Sequence, residues 1–250
     1  MNLTKWSSMS LKNLKDYKYI IYTHSFTDSQ LEYGYDGFVN TLEWLEYTID
    51  QLQKKQVKFI IKAHPNFYVN SKKNSKDDLA KWDREIYKNL KEKIKFKKNI
   101  LFIDKPILNK TLVSRLDKKC LVITKHGSVQ LEMIYHGFKV IASEKNLIDK
   151  KYKLVNSWNN KEEYKKLINR KWDDLNFGDK NNFLTVIEFL FMNENSILGK
   201  KFYLNELKEQ MYREKLINRK STHDITISKF NNLKDKKKLI NKINIPIINI

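Results

Sequence analysis

The residues best equipped for chemistry in this sequence sit at three short breaks, each after an apolar run. The longest is Val122-Ile123-Thr124-Lys125-His126-Gly127-Ser128-Val129-Gln130-Leu131-Glu132. It reads as the end of a strand, a corner of small residues, and the first turns of a helix. Such a corner offers free backbone N–H groups and the Ser128 hydroxyl, donors that suit an anion such as phosphate. Gly127 puts no Cβ in the way of a ligand approaching the backbone. A second break, His64-Pro65, follows the apolar run ending at Ala63. The proline stops both strand and helix there and fixes the histidine at the strand's end. A third, His24-Ser25, follows YKYIIYT.

The elements that must hold these breaks alternate along the chain. The sequence predicts strands over residues 17–23, 57–63, 100–103, 121–124 and 139–142. Between them it predicts helices over residues 39–55, from Asp77 or Asp78 to about Phe96, over 109–116 and over 128–136, the last closed by Gly137. Strand–helix alternation implies an α/β fold: a Rossmann-like wound parallel sheet with helices on both faces, followed by C-terminal helices. Ligands of such sheets bind beyond the carboxyl ends of the strands. His24, His64 and Lys125-His126 all fall at those ends. The loop from Phe26 to Phe38 carries Asp28, Tyr33, Gly34, Asp36 and Gly37 and is too chemically dressed for a plain connector.

Beyond the sheet, helical spacing runs from Lys161 to about Arg219, with a middle helix starting near Asp179 or Asn181. We read residues 1–16 as a leader or linker, 17–195 as the wound domain, and 196–250 as a helix with a basic tail.

Composition narrows the class. The chain has 250 residues, of which 41% are hydrophobic and 12% aromatic, enough for a packed core. The formal charge of +20 favours anionic partners. Its lysines are scattered through every segment and arginine is sparse, so no specific nucleic-acid site is expected. The single cysteine, Cys120, excludes an internal disulfide and a cysteine zinc cluster. No secretory signal opens the chain. The best apolar stretch, residues 183–192, is interrupted by Glu188 and too short for a bilayer. A cytoplasmic protein is expected, with peripheral contact to an anionic inner-membrane face open to it.

An ordered set of motifs spans roughly residues 18–145: His24-Ser25-Phe26-Thr27-Asp28, Tyr33-Gly34-Tyr35-Asp36-Gly37-Phe38, Trp44, Lys62-Ala63-His64-Pro65-Asn66, and Thr124-Lys125-His126-Gly127-Ser128 with Glu132. In these the chain resembles the glycosyltransferases of capsule polysaccharide and surface-carbohydrate biosynthesis, including the bacterial Kdo transferases. The resemblance implies the C-terminal, donor-binding half of a GT-B enzyme, with a nucleotide-sugar (CMP- or otherwise activated) as substrate rather than cofactor, and no metal. It implies that His64, Pro65, Thr124, Lys125, His126, Gly127 and Ser128 hold the nucleotide, with His64 and Ser128 on phosphate. Glu132 would take the ribose hydroxyls or the base edge. His24 and Asp36 would face the transferred sugar as candidate catalytic groups, in a donor-sugar loop that includes Ser25, Asp28, Tyr33 and Gly34.

The acceptor would be a glycan or glycolipid. Only a short leader precedes the first strand, where a GT-B enzyme has its acceptor half. The resemblance therefore implies a fragment, an acceptor-domain partner protein, or a domain that binds without catalysing. A polyol-phosphate phosphotransferase is the neighbouring reading. Each residue also has a plain structural alternative. His64 could be a packed strand-end histidine, Glu132 a solvated helix residue, and Asp28 or Asp36 a cap or turn residue. Trp44, Trp82, Trp158 and Trp172 are read as core or groove packing rather than sugar platforms.

Overall fold

In the computed structural model of this chain, residues 14–27, 34–67, 78–94, 99–105, 107–145 and 152–191 are described. By its contacts the chain divides into two units, residues 1–146 with 155–177, and residues 147–154 with 178–250.

The first unit is built on a six-stranded parallel sheet: β1 (Tyr19–Tyr22), β2 (Phe59–Lys62), β3 (Ile100–Ile103), β4 (Leu121–Thr124), β5 (Val140–Ser143) and β6 (Asn156–Trp158). Their spatial order is β3-β2-β1-β4-β5-β6, a Rossmann-like winding whose direction reverses between β1 and β4. YIIY, FIIK, LVIT and VIAS are buried along their whole length, as strands covered on both faces must be. The register aligns Tyr22 with Lys62 on one side and with Thr124 on the other. Whatever follows those three residues therefore emerges at one level of one rim.

Helices α1 (Thr41–Lys54), α2 (Asp78–Ile94), α3 (Asn109–Val113), α4 (Val129–Tyr135) and α5 (Lys161–Asn169) complete the unit. α1 and α5 begin in the same way. The Asn40 side chain accepts from Glu43 N–H at 2.8 Å, and that of Asn160 accepts from Glu163 N–H at 2.9 Å. Each glutamate accepts in turn from a backbone N–H just upstream of its cap, on Val39 and on Asn159. The two starts are pressed together at Gly37. A Cβ there would stand 2.2 Å from Lys161 N, and φ is +99°, so only glycine fits. Lys161 also bonds Glu43 at 3.0 Å, tying the two first turns. α4 ends as the sequence predicts. Gly137 N–H donates to Ile134 O and Phe138 N–H to Met133 O, with Gly137 at φ +76°.

The core on the α1 side is aromatic. Trp44 and Trp158 lie nearly parallel at 6.4 Å, and Trp158 meets Tyr164 at 4.5 Å. The Tyr164 hydroxyl pairs with Thr48 Oγ1 at 2.5 Å, and burial raises its pKa well above that of free tyrosine. Trp44 and Trp158 are thus packing residues. Trp172 is half-buried with the Lys139 ammonium 3.8 Å from its ring centre, whereas Trp82 is exposed on α2, contrary to the packing role expected for it.

β6 has no counterpart among the expected strands. Its three residues, NSW, carry no β-rich run, and what holds them is side-chain chemistry. Asn156 donates to Val140 O and Asn176 O and accepts from Asn176 N–H, while Trp158 is fully buried.

In the second unit, α6 (Lys180–Phe191) starts where the sequence places it, with the Asp179 carboxylate accepting from Asn182 N–H at 2.8 Å. Asn182 Nδ2 donates to Tyr152 O, fastening the 152–154 segment to this helix. Among the described residues no helix is long and apolar enough to cross a membrane. The helix expected around Leu204, the basic tail, and most of the leader lie outside the described residues.

Candidate functional site

Beyond the aligned ends of β1, β2 and β4 lies a cavity of about 350 Å³. It opens where the sheet reverses direction, the position at which wound sheets leave a crevice between outgoing loops. β1 supplies Tyr22, Thr23 and His24. β2 supplies Lys62, Ala63, His64 and Pro65. The turn after β4 and the helix behind it supply His126, Gly127, Ser128, Val129 and Glu132, with Asn109 from α3 closing one wall.

The three histidines meet. The rings of His24 and His64 are 5.6 Å apart, and those of His24 and His126 are 5.8 Å apart and edge-on. Burial, reinforced by the charges of Lys125 and His24, pulls the His126 pKa down to about 3. His126 is therefore a neutral imidazole at ordinary pH. Among the described residues no group of three or more His, Cys, Asp or Glu could hold a metal ion.

Gly127 adopts φ +100°, a conformation the corner needs and side chains resist. A Cβ there would rest 3.5 Å from the His24 ring, an ordinary contact, so conformation rather than space demands glycine. Thr124 Oγ1 donates to His126 O at 2.8 Å and shapes the same turn without facing the cavity. α4 has only seven residues, and Ser128 is already helical in backbone without capping it. The anion-binding helix start expected there is thus a minor feature. The Ser128 hydroxyl stands exposed at the cavity edge.

Among the described residues that line the cavity, the lysine is Lys62, which belongs to the Lys-Ala-His-Pro motif without a role expected for it. Lys62, the last residue of β2, is 7% exposed. Among the described residues no carboxylate lies within ion-pair distance of it; its ammonium sits 5.5 Å from the Tyr22 ring centre. Burial lowers its pKa, and the Glu132 charge pulls the other way. Beside it the Tyr22 hydroxyl is buried with no hydrogen-bond partner among the described residues, and its pKa is raised by burial and by Glu132. Glu132 itself accepts from Asn109 Nδ2 at 2.6 Å. A lysine closing an otherwise apolar strand, two residues before His-Pro, was the available signal. Its strength lay in burial, which a motif does not state.

Other candidates are placed differently. Lys125 and Asp36 form an ion pair at 3.4 Å with side chains 2% and 0% exposed, outside the cavity walls. Burial lowers the Lys125 pKa and Asp36 restores part of it. Ser25 is turned toward Asp83 of α2, which accepts from Ser25 Oγ at 2.5 Å, Phe26 N–H at 2.8 Å, and both Thr27 N–H and Oγ1 at 3.1 Å. The His-Ser-Phe-Thr motif is therefore largely a clamp that fixes the chain leaving β1. Gly34 is exposed at φ +78° and lines no part of the cavity. Asp28 and Tyr33 lie outside the described residues.

No family model matches the chain, and no curated protein matches it. Among solved structures it is similar to the crystal structure of UDP-GlcNAc 2-epimerase from Methanocaldococcus jannaschii in complex with UDP-GlcNAc and UDP. Identity is 18% and the TM-score 0.39, over 71% of this chain and 46% of that one. The chain thus matches less than half the length of that protein, and the site stands on its own atoms.

Proposed function

We propose that the cavity binds a nucleotide-sugar through its phosphates, and that the chain is the donor-binding half of a metal-independent glycosyltransferase of surface-polysaccharide assembly. The observation that carries this reading is Lys62, a buried ammonium with no carboxylate of the described residues within ion-pair distance, facing a crevice at the reversal point of a Rossmann-like sheet. A desolvated cation is costly unless an anion completes it. Phosphate is the anion for which such crevices are suited, and the neighbouring groups match one. His64 and the Ser128 hydroxyl stand at the same opening, while Glu132 and Asn109 on the α4–α3 wall suit ribose hydroxyls.

In glycosyl transfer the phosphate leaves with growing negative charge. Lys62 and a protonated His64 would neutralise it, each charge-assisted hydrogen bond contributing about 1.5–3 kcal/mol. They accelerate the reaction to the extent that they hold the leaving phosphate more tightly than the bound one. His24, between the other two imidazoles, is the candidate to take the acceptor's proton. Asp36 has no part in this reading because Lys125 and full burial occupy it. The acceptor would be a glycan or glycolipid, presented by an acceptor domain on a cytoplasmic, inner-membrane face.

Calorimetry with CMP, CDP, UDP and their sugar conjugates tests the proposal. Saturable binding is expected, weakened about tenfold by His64→Ala and less by Ser128→Ala, with the fold intact. Absence of binding at about millimolar nucleotide would overturn it.

A further inference from the structure

A second concave site lies on the same rim, over the ends of β2 and β3. It is a groove of about 360 Å³ between α2 and the chain leaving those strands. Phe67 and Tyr87 lie beneath it, both nearly buried, their rings stacked on one another at 4.7 Å and 28° with Phe26 also stacked on Phe67, so that they offer edges rather than faces to the groove. Its charges are nearly all spoken for. Asp104 accepts from the Tyr87 hydroxyl at 2.8 Å and is ion-paired with Lys91. Lys88 lies 4.0 Å from Glu92, both well exposed. Arg84 differs. It is half-buried in the groove wall, and among the described residues no group accepts a hydrogen bond from its guanidinium or pairs with it.

We infer that this groove binds a sugar carrying an acid group, with Arg84 as the fork for the acid and the edges of Phe67 and Tyr87 beside the ring. A guanidinium matches a carboxylate or a phosphate with two parallel hydrogen bonds. The exposed aromatic edges supply a small apolar contact to the ring's C–H groups. Phe67 connects the groove to the first cavity, since its ring is also 5.9 Å from that of His64 across the Pro65–Phe67 turn. A ligand in the groove thus lies one aromatic ring away from the proposed donor phosphate, where an acidic sugar of the acceptor could be anchored. The anchoring role rests on the glycosyl-transfer reading; the binding does not.

The test uses the full chain titrated with glucuronate, glucose 6-phosphate and glucose, followed by nuclear magnetic resonance. At least one of the two acidic sugars is expected to bind saturably and glucose not, and the tighter acid identifies carboxylate or phosphate as the group read. Read at the Phe67 and Tyr87 ring signals, Arg84→Ala should weaken that binding about tenfold and Arg84→Lys by less, while Lys62→Met leaves the response of those signals unchanged. Binding equal in Arg84→Ala, equal for glucose, lost in Lys62→Met, or absent at about 10 mM would overturn the proposal. Nucleotide titration of the same samples separates the two sites. Loss of nucleotide binding alone sinks the donor reading, and loss of acidic-sugar binding alone sinks the groove.

Discussion

Two lysines leave neighbouring parts of this sheet at nearly the same height and have opposite fates. Lys125 follows β4 and is locked to Asp36, with both charges buried. Lys62 ends β2, is almost as buried, and has no carboxylate in reach among the described residues. Both precede a histidine in a short polar motif, and both have pKa values lowered by burial. The protein neutralises one cation from within and leaves the other facing a cavity. A motif reports residue type, and the partner decides whether that residue holds the fold together or is kept for a ligand.

Removing Lys125's partner should have the largest effect. Asp36→Ala leaves an uncompensated ammonium in the interior and should cost about 3–5 kcal/mol in denaturant unfolding. Replacing both, as Asp36→Ala with Lys125→Met, should recover most of that loss. Additive losses in the double variant would mean that the two charges do not act as a pair.

Asp83→Ala comes next. It strips the acceptor from four donors on residues 25–27 and should cost about 2–3 kcal/mol, with a matching rise in hydrogen exchange at Phe26 and Thr27. Unchanged exchange there would return Ser25 to the list of ligand-facing residues.

The smallest effect per step is acid sensitivity from His126. Its pKa is about 3 in the folded chain against 6.5 when unfolded, so between those pH values the unfolded chain binds more protons. Stability from this group is fully present above about pH 6.5 and falls as the pH drops toward 3, by at most about 1.4 kcal/mol for each pH unit. His126→Asn should flatten that slope. Lys125→Met, within the double variant, should shrink it too, because a neighbouring positive charge is gone.

Most of the sheet was legible because its strands, four of them buried along their whole length, announce themselves as apolar runs. YIIY, FIIK, ILFI, LVIT and VIAS need no context to be read. β6 was not legible: NSW owes its place to the Asn156 side chain and to Trp158 reaching Trp44, contacts distant in sequence. The rim was legible for the same reason the strands were, since His24, His64 and His126 each follow a readable strand end. Which side chains face the cavity was not. Asp36 and Ser25 carry groups suited to a sugar, yet Lys125 and Asp83 claim them from remote elements. Lys62 was passed over because a lysine ending a strand usually reaches solvent, and only the packing of Tyr22 beside it shows that this one does not.

The central claim is that Lys62 is kept for a phosphate. Titrating UDP and CMP into the wild-type chain and Lys62→Met, with thermal melts of both, tests it most directly. The wild type should bind at least one of them, and Lys62→Met should bind about tenfold to a hundredfold more weakly while melting no lower, because a desolvated cation has been removed. Equal affinity in the two proteins, or a variant that unfolds as Asp36→Ala is expected to, would make Lys62 a structural lysine like Lys125 and contradict the account.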